Sequence, residues 1–372
     1  MAQTRVVAGV VVLGAGIVGA SIAYHLSRRG AAVTLVDRSG PASGATGSSF
    51  AWVGAAGGDR GWPGGAADLR ASVLGDHRRL EAELPGFAVR WTGSLAWSAT
   101  TSDGPAPAAG PGQRVVGRAE IAELEPDLRA LPPSAVHTPS DGGIDPVAMT
   151  TALVRAARAL GARVVLDSPV TSLRRGDGRV TGVDCRVGFI PASTVVLAVG
   201  AAVGRFGTPL PVSASPALLV RACAPPGLLS GIVVTPGWEA REVRPGRLVM
   251  TAPVTGHETP RDLTDLARGT TRAVAEHVAG GDRIRFDSTR LGLRPMPADG
   301  APLIGRPTPD DAVYVAVMHS AVTLAPTVGR LVADEIIDRR PVRELTNCRP
   351  HRFGPLHGPD RPATTPTTCP RA

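Results

Sequence analysis

Apolar positions follow two rhythms along this chain. Val6–Leu13 is a run of Val, Ala and Leu broken by one glycine, and Ala31–Val36 is a second apolar run. Neither alternates with polar residues, which predicts strands buried on both faces, as in a parallel sheet. Between them Val18, Ile22 and Leu26 recur at helical spacing. Arg28 and Arg29 fall in the last turn, where cations favour the helix dipole, and Gly30 suits a left-handed cap. Further on, Met149, Leu153, Ala156 and Leu160 mark the apolar side of a helix that Asp145 caps, Pro146 opens and Gly161 ends. Residues 163–166 and 169–173 read as extended, followed by a Gly176-Asp177-Gly178 turn, a further strand pair and a strand at Val195–Gly200. Leu218–Arg221 and Arg247–Met250 read as short strands, and residues 262–279 as a helix. Val313–Val317 is strand-like and enters a loop at Met318, after which Pro326 opens a helix with Val328, Leu331, Val332 and Ile336 on one side. The pattern predicts an α/β protein, α+β overall, with a parallel-sheet core and an antiparallel insertion.

The first turn carries chemistry. Gly14-Ala15-Gly16-Ile17-Val18-Gly19 joins the first strand to the first helix, and Asp37 ends the second strand. Gly14 permits a tight turn, Gly16 lets a pyrophosphate approach the backbone, and Gly19 lets helix and strand pack closely. The helix start offers free N–H groups, and Asp37 can accept hydrogen bonds from ribose hydroxyls. This predicts a dinucleotide site. Asp37 disfavours a 2′-phosphate, while the neighbouring Arg38 keeps NADP open, and the motif alone does not separate NAD from FAD. The small-residue loop Ser39–Trp52 that follows can bring backbone against a second part of a cofactor.

Composition narrows the chemistry. All 40 basic Lys+Arg positions are Arg. Without lysine, P-loop, Schiff-base and protein-kinase chemistries lack their usual residue. The abundant Gly, Pro, Ala and Arg point to GC-rich codons as the origin of that bias. The net charge is +8, but no basic run with interleaved aromatics is present, so no nucleic-acid partner is expected. The four cysteines are dispersed and form no C-x-x-C, so neither a metal site nor redox pairing is expected, and a cytoplasmic location fits. Residues 6–26 lack formal charge, but Gly9, Gly14, Gly16 and Gly19 argue against an integral membrane span there.

With these passages in hand, the chain resembles the FAD-dependent amino-acid and amine oxidoreductases, the D-amino-acid oxidase, glycine oxidase and sarcosine oxidase family. The likeness covers most of residues 8–345. It rests on Val12–Asp37, the Ser43–Trp52 loop, Gly143-Ile144-Asp145-Pro146 with the Val195–Gly200 strand, and Gly292–Gly300 followed by Leu303-Ile304-Gly305 and His319–Gly329. It implies a Rossmann-like FAD-binding domain, discontinuous in sequence (1–75, 140–205 and 285–353), and a smaller, mainly antiparallel substrate domain (76–139 and 206–284). The tail 354–372, which includes His357, reads as disordered. FAD would meet Gly14, Gly16, Ile17, Val18, Gly19, Asp37 and Arg38. It would also meet Ser43, Gly44, Thr46, Gly47 and Ser48 in the small-residue loop, then Val170 and Gly200. Val322, Thr323 and Leu324 lie at the helix whose amino terminus the family turns toward the flavin pyrimidine ring.

The resemblance makes Arg294 the partner of a substrate carboxylate and brings His319 to the reaction site, where some relatives have a second Arg. Arg241, Glu242 and Arg244 sit in a strand that could face the flavin, and Trp52 and Trp238 read as packing residues. The Gly292 passage has no Cys, so the resemblance implies non-covalent FAD. The implied activity is oxidative deamination or demethylation of an amino acid or related amine by hydride transfer to flavin N5, followed by imine hydrolysis and reoxidation by oxygen. Relatives that use oxygen can employ a Lys near the flavin, and this chain has none, which leaves an Arg or a charged His to supply that cation. A dehydrogenase passing electrons to a quinone or carrier protein, a flavin-binding subunit without turnover, and an NAD-linked reductase are the alternatives.

Overall fold

A computed structural model describes residues 9–55, 63–98, 108–207, 209–308 and 312–354. The expected tail therefore lies outside the described residues from 355 onward, as do the first residues of the Val6–Leu13 run. Among the described residues, a six-stranded sheet runs in the order Leu303–Gly305, Val313–Val317, Thr194–Leu197, Val10–Leu13, Val33–Val36, Arg163–Val165. All neighbours are parallel except the Leu303–Gly305 edge. The apolar runs have no polar alternation because both faces are covered. Val10 and Val12 join a core shared with the helices, whereas Val11 and Leu13 join one shared with a three-stranded meander at 170–191.

The helix Ile17–Arg28 lies on this sheet beside Pro146–Ala159 and Ala321–Asp338. Asp145 caps the second of these by accepting from the Val147 and Ala148 amides. The last helix begins at Ala321, five residues before the expected start, and Pro326 lies inside it. The proline has no N–H for the carbonyl one turn back. Buried His77 packs against this stretch, with Nε2 3.0 Å from the Thr323 carbonyl oxygen. A contact from another segment thus supports a turn that the sequence marks as a break.

His77 belongs to the helix Gly65–Glu83, which runs across the boundary expected at residue 75. That helix packs on the helical side of the parallel sheet, and its Asp76 accepts two 3.0 Å bonds from Arg330. A small antiparallel sheet joins Trp52–Val53, Gly142–Ile144 and Val89–Arg90, and an eight-stranded sheet runs in the order 285–297, 212–223, 247–252, 239–244, 232–234, 94–96, 134–138, 114–117. The strand Arg285–Pro297, expected with the FAD-binding segments, is hydrogen-bonded along the edge of this sheet to Val212–Cys223. Its motif reflects what it faces, while its backbone pairs elsewhere. The helix expected at 262–279 spans Pro260–His277 and starts at a Thr259–Asp262 capping box.

Burial depresses His25 and His77 from 6.5 to about 3 and about 4. The positive charge of Arg79 adds to the effect at His25, while the Thr323 carbonyl opposes it at His77. The unfolded chain takes up these two protons near pH 6.5, whereas the folded chain resists them. The contribution of these two imidazoles to stability is therefore complete above about pH 6.5 and is lost as the pH drops toward 4, by up to about 1.4 kcal/mol per pH unit for each. The urea midpoint is expected to fall between pH 6.5 and 4.5, with a shallower slope in His77→Gln. Equal slopes would remove His77 from this account.

Candidate functional site

The first strand ends in a turn that excludes a side chain at two of its glycines. Gly14 has φ +102°, and a Cβ there would lie 2.4 Å from the Ala198 carbonyl oxygen. A Cβ on Gly19 would lie 1.9 Å from the Gly14 carbonyl oxygen. The helix that follows has Gly16 as its N-cap, no side-chain cap and no acidic residue in its first turn. The Ile17 amide donates to Thr46 Oγ1 at 3.1 Å, and the rest of this positive helix end remains available to an anion. Asp37 Oδ2 accepts from the Ala15 amide at 2.7 Å and Oδ1 from the Ser39 amide at 2.8 Å. A carboxylate has about four lone-pair sites, so acceptor capacity remains for ribose hydroxyls.

These groups open into a cavity of about 1580 Å³ between the two large sheets. Typical small-molecule sites occupy roughly 300–1,000 Å³, so there is room for a dinucleotide and a substrate together. Gly14, Gly16, Ile17, Val18, Asp37 and Arg38 line one end. Ser43, Gly44, Thr46 and Ser48 line the adjoining loop, and Val170 and Gly200 complete this side. Val322 and Thr323 line the wall at the start of the last helix, which also lacks a side-chain cap or a first-turn acid. Arg294 and His319 lie in the same wall.

Three expected cofactor residues do not line the cavity. Gly19 serves the helix–strand contact just described. A Cβ on Gly47 would sit 2.4 Å from the Ala42 carbonyl oxygen, and Leu324 is fully buried in the helical core. Arg241, Glu242 and Arg244 are also absent from the wall. Arg241 points its guanidinium into the Phe50 and Ile144 carbonyls, at 2.5–2.7 Å, and Glu242 accepts from the Gly227 and Gly246 amides. Trp52 lines the cavity, whereas Trp238 is buried in the core of the antiparallel sheet.

The structure adds residues that sequence reading missed. Arg221 donates to the Gly47 carbonyl at 2.7 Å and Arg290 to the Ser43 carbonyl at 2.6 Å, tying the small-residue loop to the antiparallel sheet. The available signal at Arg221 was a lone arginine on a strand otherwise made of small and apolar residues, whereas Arg290 shares its strand with other charged residues. Glu239 and Thr251 face the cavity from neighbouring strands. Asp141 lines it too, held by a 2.7 Å bond from Ser94. Burial raises Asp141 to about 6 against the opposing effects of Ser94 and Trp52. Burial, then the charge of Arg294, lowers His319 below its ordinary range, which favours the neutral imidazole. Of the two cations anticipated at this end, Arg294 is therefore the charged one.

Residues 9–335 match the protein family described as FAD dependent oxidoreductase. A D-amino acid dehydrogenase of Bradyrhizobium diazoefficiens is 28% identical over 260 residues, covering 64% of this chain and 61% of that protein. The match thus spans less than two thirds of that relative. Among solved structures, glycine oxidase from Geobacillus kaustophilus is 23% identical with a TM-score of 0.78, covering 93% of this chain and 98% of that one. L-amino acid deaminase from Proteus vulgaris, with its specific insertion deleted, is 20% identical with a TM-score of 0.81, covering 93% and 94%. These two share the fold. The chain belongs to the FAD-dependent oxidoreductase family.

Asp37→Ala removes the acceptor at the end of the second strand. Hydrogen bonds to a charged group contribute about 1.5–3 kcal/mol, so FAD affinity is expected to fall about tenfold or more. Titration of the apoprotein with FAD measures this; unchanged affinity would exclude Asp37 from the cofactor site.

Proposed function

We propose that this member of the FAD-dependent oxidoreductase family oxidises the carbon–nitrogen bond of an amino acid or related amine that carries a carboxylate. One observation carries the reading. Arg294 stands in the cavity wall, donates to Ser215 Oγ at 2.8 Å and to the Pro216 carbonyl at 3.3 Å, and has no acidic ion-pair partner among the described residues. A planar guanidinium fixed by neutral acceptors remains charged and can pair with a carboxylate through two parallel hydrogen bonds. Bound FAD supplies the acceptor for the hydride that leaves the carbon beside the nitrogen.

The chain's own residues prepare the substrate for that event. Arg294 anchors it by the carboxylate and so orients the carbon beside the nitrogen. The neutral imidazole of His319 can accept a hydrogen bond from the amine without adding charge beside it. A neutral amine is the form that releases hydride, and the positive charge of Arg294 favours loss of the ammonium proton. The imine product is hydrolysed to a carbonyl compound and ammonia or an amine.

The cofactor is held non-covalently in this reading, supported by a cavity wall without cysteine among the described residues. A second reading concerns the electron acceptor. Oxygen would act as oxidant without a lysine to assist it, whereas the similarity to a relative named D-amino acid dehydrogenase favours a dehydrogenase, for which a quinone or carrier protein would take the electrons. No helix among the described residues is long and apolar enough to cross a membrane, and a cytoplasmic location accords with the free thiols of Cys185, Cys223 and Cys348.

Anaerobic mixing with D- and L-amino acids, N-methyl amino acids and amines without a carboxylate is expected to bleach the flavin with carboxylate-bearing compounds only. Peroxide formation under air then separates oxidase from dehydrogenase. Arg294→Ala is expected to raise KM at least about tenfold with FAD still bound. An unchanged KM would reject the carboxylate role.

A further inference from the structure

The antiparallel sheet turns one face to the cavity, and its register identifies the row of residues there. Thr251 pairs with Glu239, Glu239 with Val234, Val234 with Ala96 and Ala96 with Val136. All five line the cavity. The row is apolar except for the Thr251 hydroxyl and the Glu239 carboxylate. Thr251 Oγ1 donates to Glu239 Oε1, and no cationic side chain forms an ion pair with Glu239 among the described residues. Arg241, two positions along the same strand, is committed to the Phe50 and Ile144 carbonyls.

Arg294 lines the same cavity without an acidic partner. A guanidinium and a carboxyl group thus share one chamber, and the charge of Arg294 acts on Glu239, yet the two form no ion pair. An unpaired carboxylate in an apolar wall is costly, and a neutral residue would remove that cost. The arrangement therefore fits an occupant bearing both charges. The reacting nitrogen is a poor partner for Glu239, because an ionised carboxylate beside it would stabilise the ammonium and oppose hydride release. A second nitrogen, one not being oxidised, has no such conflict.

We propose that Glu239 is a specificity-determining residue that receives a cationic side-chain group of the substrate while Arg294 receives its carboxylate, so that the preferred substrate is an amino acid with a basic side chain. This rests on the functional reading above and names its substrate class. Burial raises the Glu239 carboxyl above its ordinary range, against the Thr251 hydroxyl and the charges of Arg294 and Arg241. A bound cation would favour its ionised form.

The test uses the holoenzyme with two acids that lack an α-amine, 6-aminohexanoate and hexanoate, titrated calorimetrically. The aminated acid is expected to bind about tenfold to a hundredfold more tightly, the range of a hydrogen bond between charged groups. Glu239→Gln should abolish that preference, and Glu239→Asp should retain part of it. The visible flavin spectrum of each variant reports that the holoprotein has folded. In turnover, the kcat/KM ratio of lysine to norleucine, each as both enantiomers, should fall by the same order in Glu239→Gln. Equal affinity of the two acids for the wild-type protein would overturn the proposal, as would a preference that survives Glu239→Gln. If neither amino acid bleaches the flavin, the broader reading of amino-acid oxidation is at fault, and the two-acid titration still decides the role of Glu239.

Discussion

A contact too close for any side chain organises this molecule. The Gly14 carbonyl oxygen occupies the space that a Gly19 Cβ would need, 1.9 Å away, and the Ala198 carbonyl crowds Gly14 in the same way. This sets the first helix down on the central strand and leaves its uncapped start at the cavity. The helix then positions a second one. Ser21 Oγ donates to the Ala325 carbonyl at 2.7 Å, and Arg29 reaches Asp334 at 2.7 Å and Asp338 at 2.9 Å. The last helix, with its own uncapped start on the cavity wall, thereby depends on the glycine contact one layer away.

The two sheets are joined by arginine. Arg221 and Arg290 reach from the antiparallel sheet to carbonyls of the small-residue loop, and Arg241 fastens the same sheet to Phe50 and Ile144. A guanidinium has five donors in a fixed fork, so one side chain can join two backbone acceptors. In a chain without lysine, this residue serves both as a structural tie and as a cation in the cavity wall. What separates the roles is exposure. Both guanidinium groups meet only neutral acceptors among the described residues, but Arg241 is buried against carbonyls, whereas Arg294 is exposed in the cavity wall.

The local signals were legible in proportion to how little they depended on distant segments. The Asp145 cap is decided within a few residues, and the glycine turn and Asp37 belong to one short strand–helix–strand unit; the structure has them at a helix start, a tight turn and a strand end. Pro326 misled because the group packed on its turn, His77, is 246 residues from the Thr323 carbonyl it meets. The strand Glu239–Arg244 misled for a related reason. Glu239 and Arg241 project from the same face, but Arg241 is covered by Phe50, 191 residues away, while Glu239 remains at the cavity.

The sequence by itself determined the strand–helix–strand unit and the dinucleotide turn, because hydrophobic period, glycine placement and a terminal acid can be read along the chain, and its resemblance over four passages pointed to the family. Only the tertiary structure decided which charges reach the cavity. Whether a guanidinium or carboxylate meets a carbonyl, a hydroxyl or open space depends on segments that come together only when the sheets pack. Local alternation specifies which way a side chain points, and the fold specifies what it finds there.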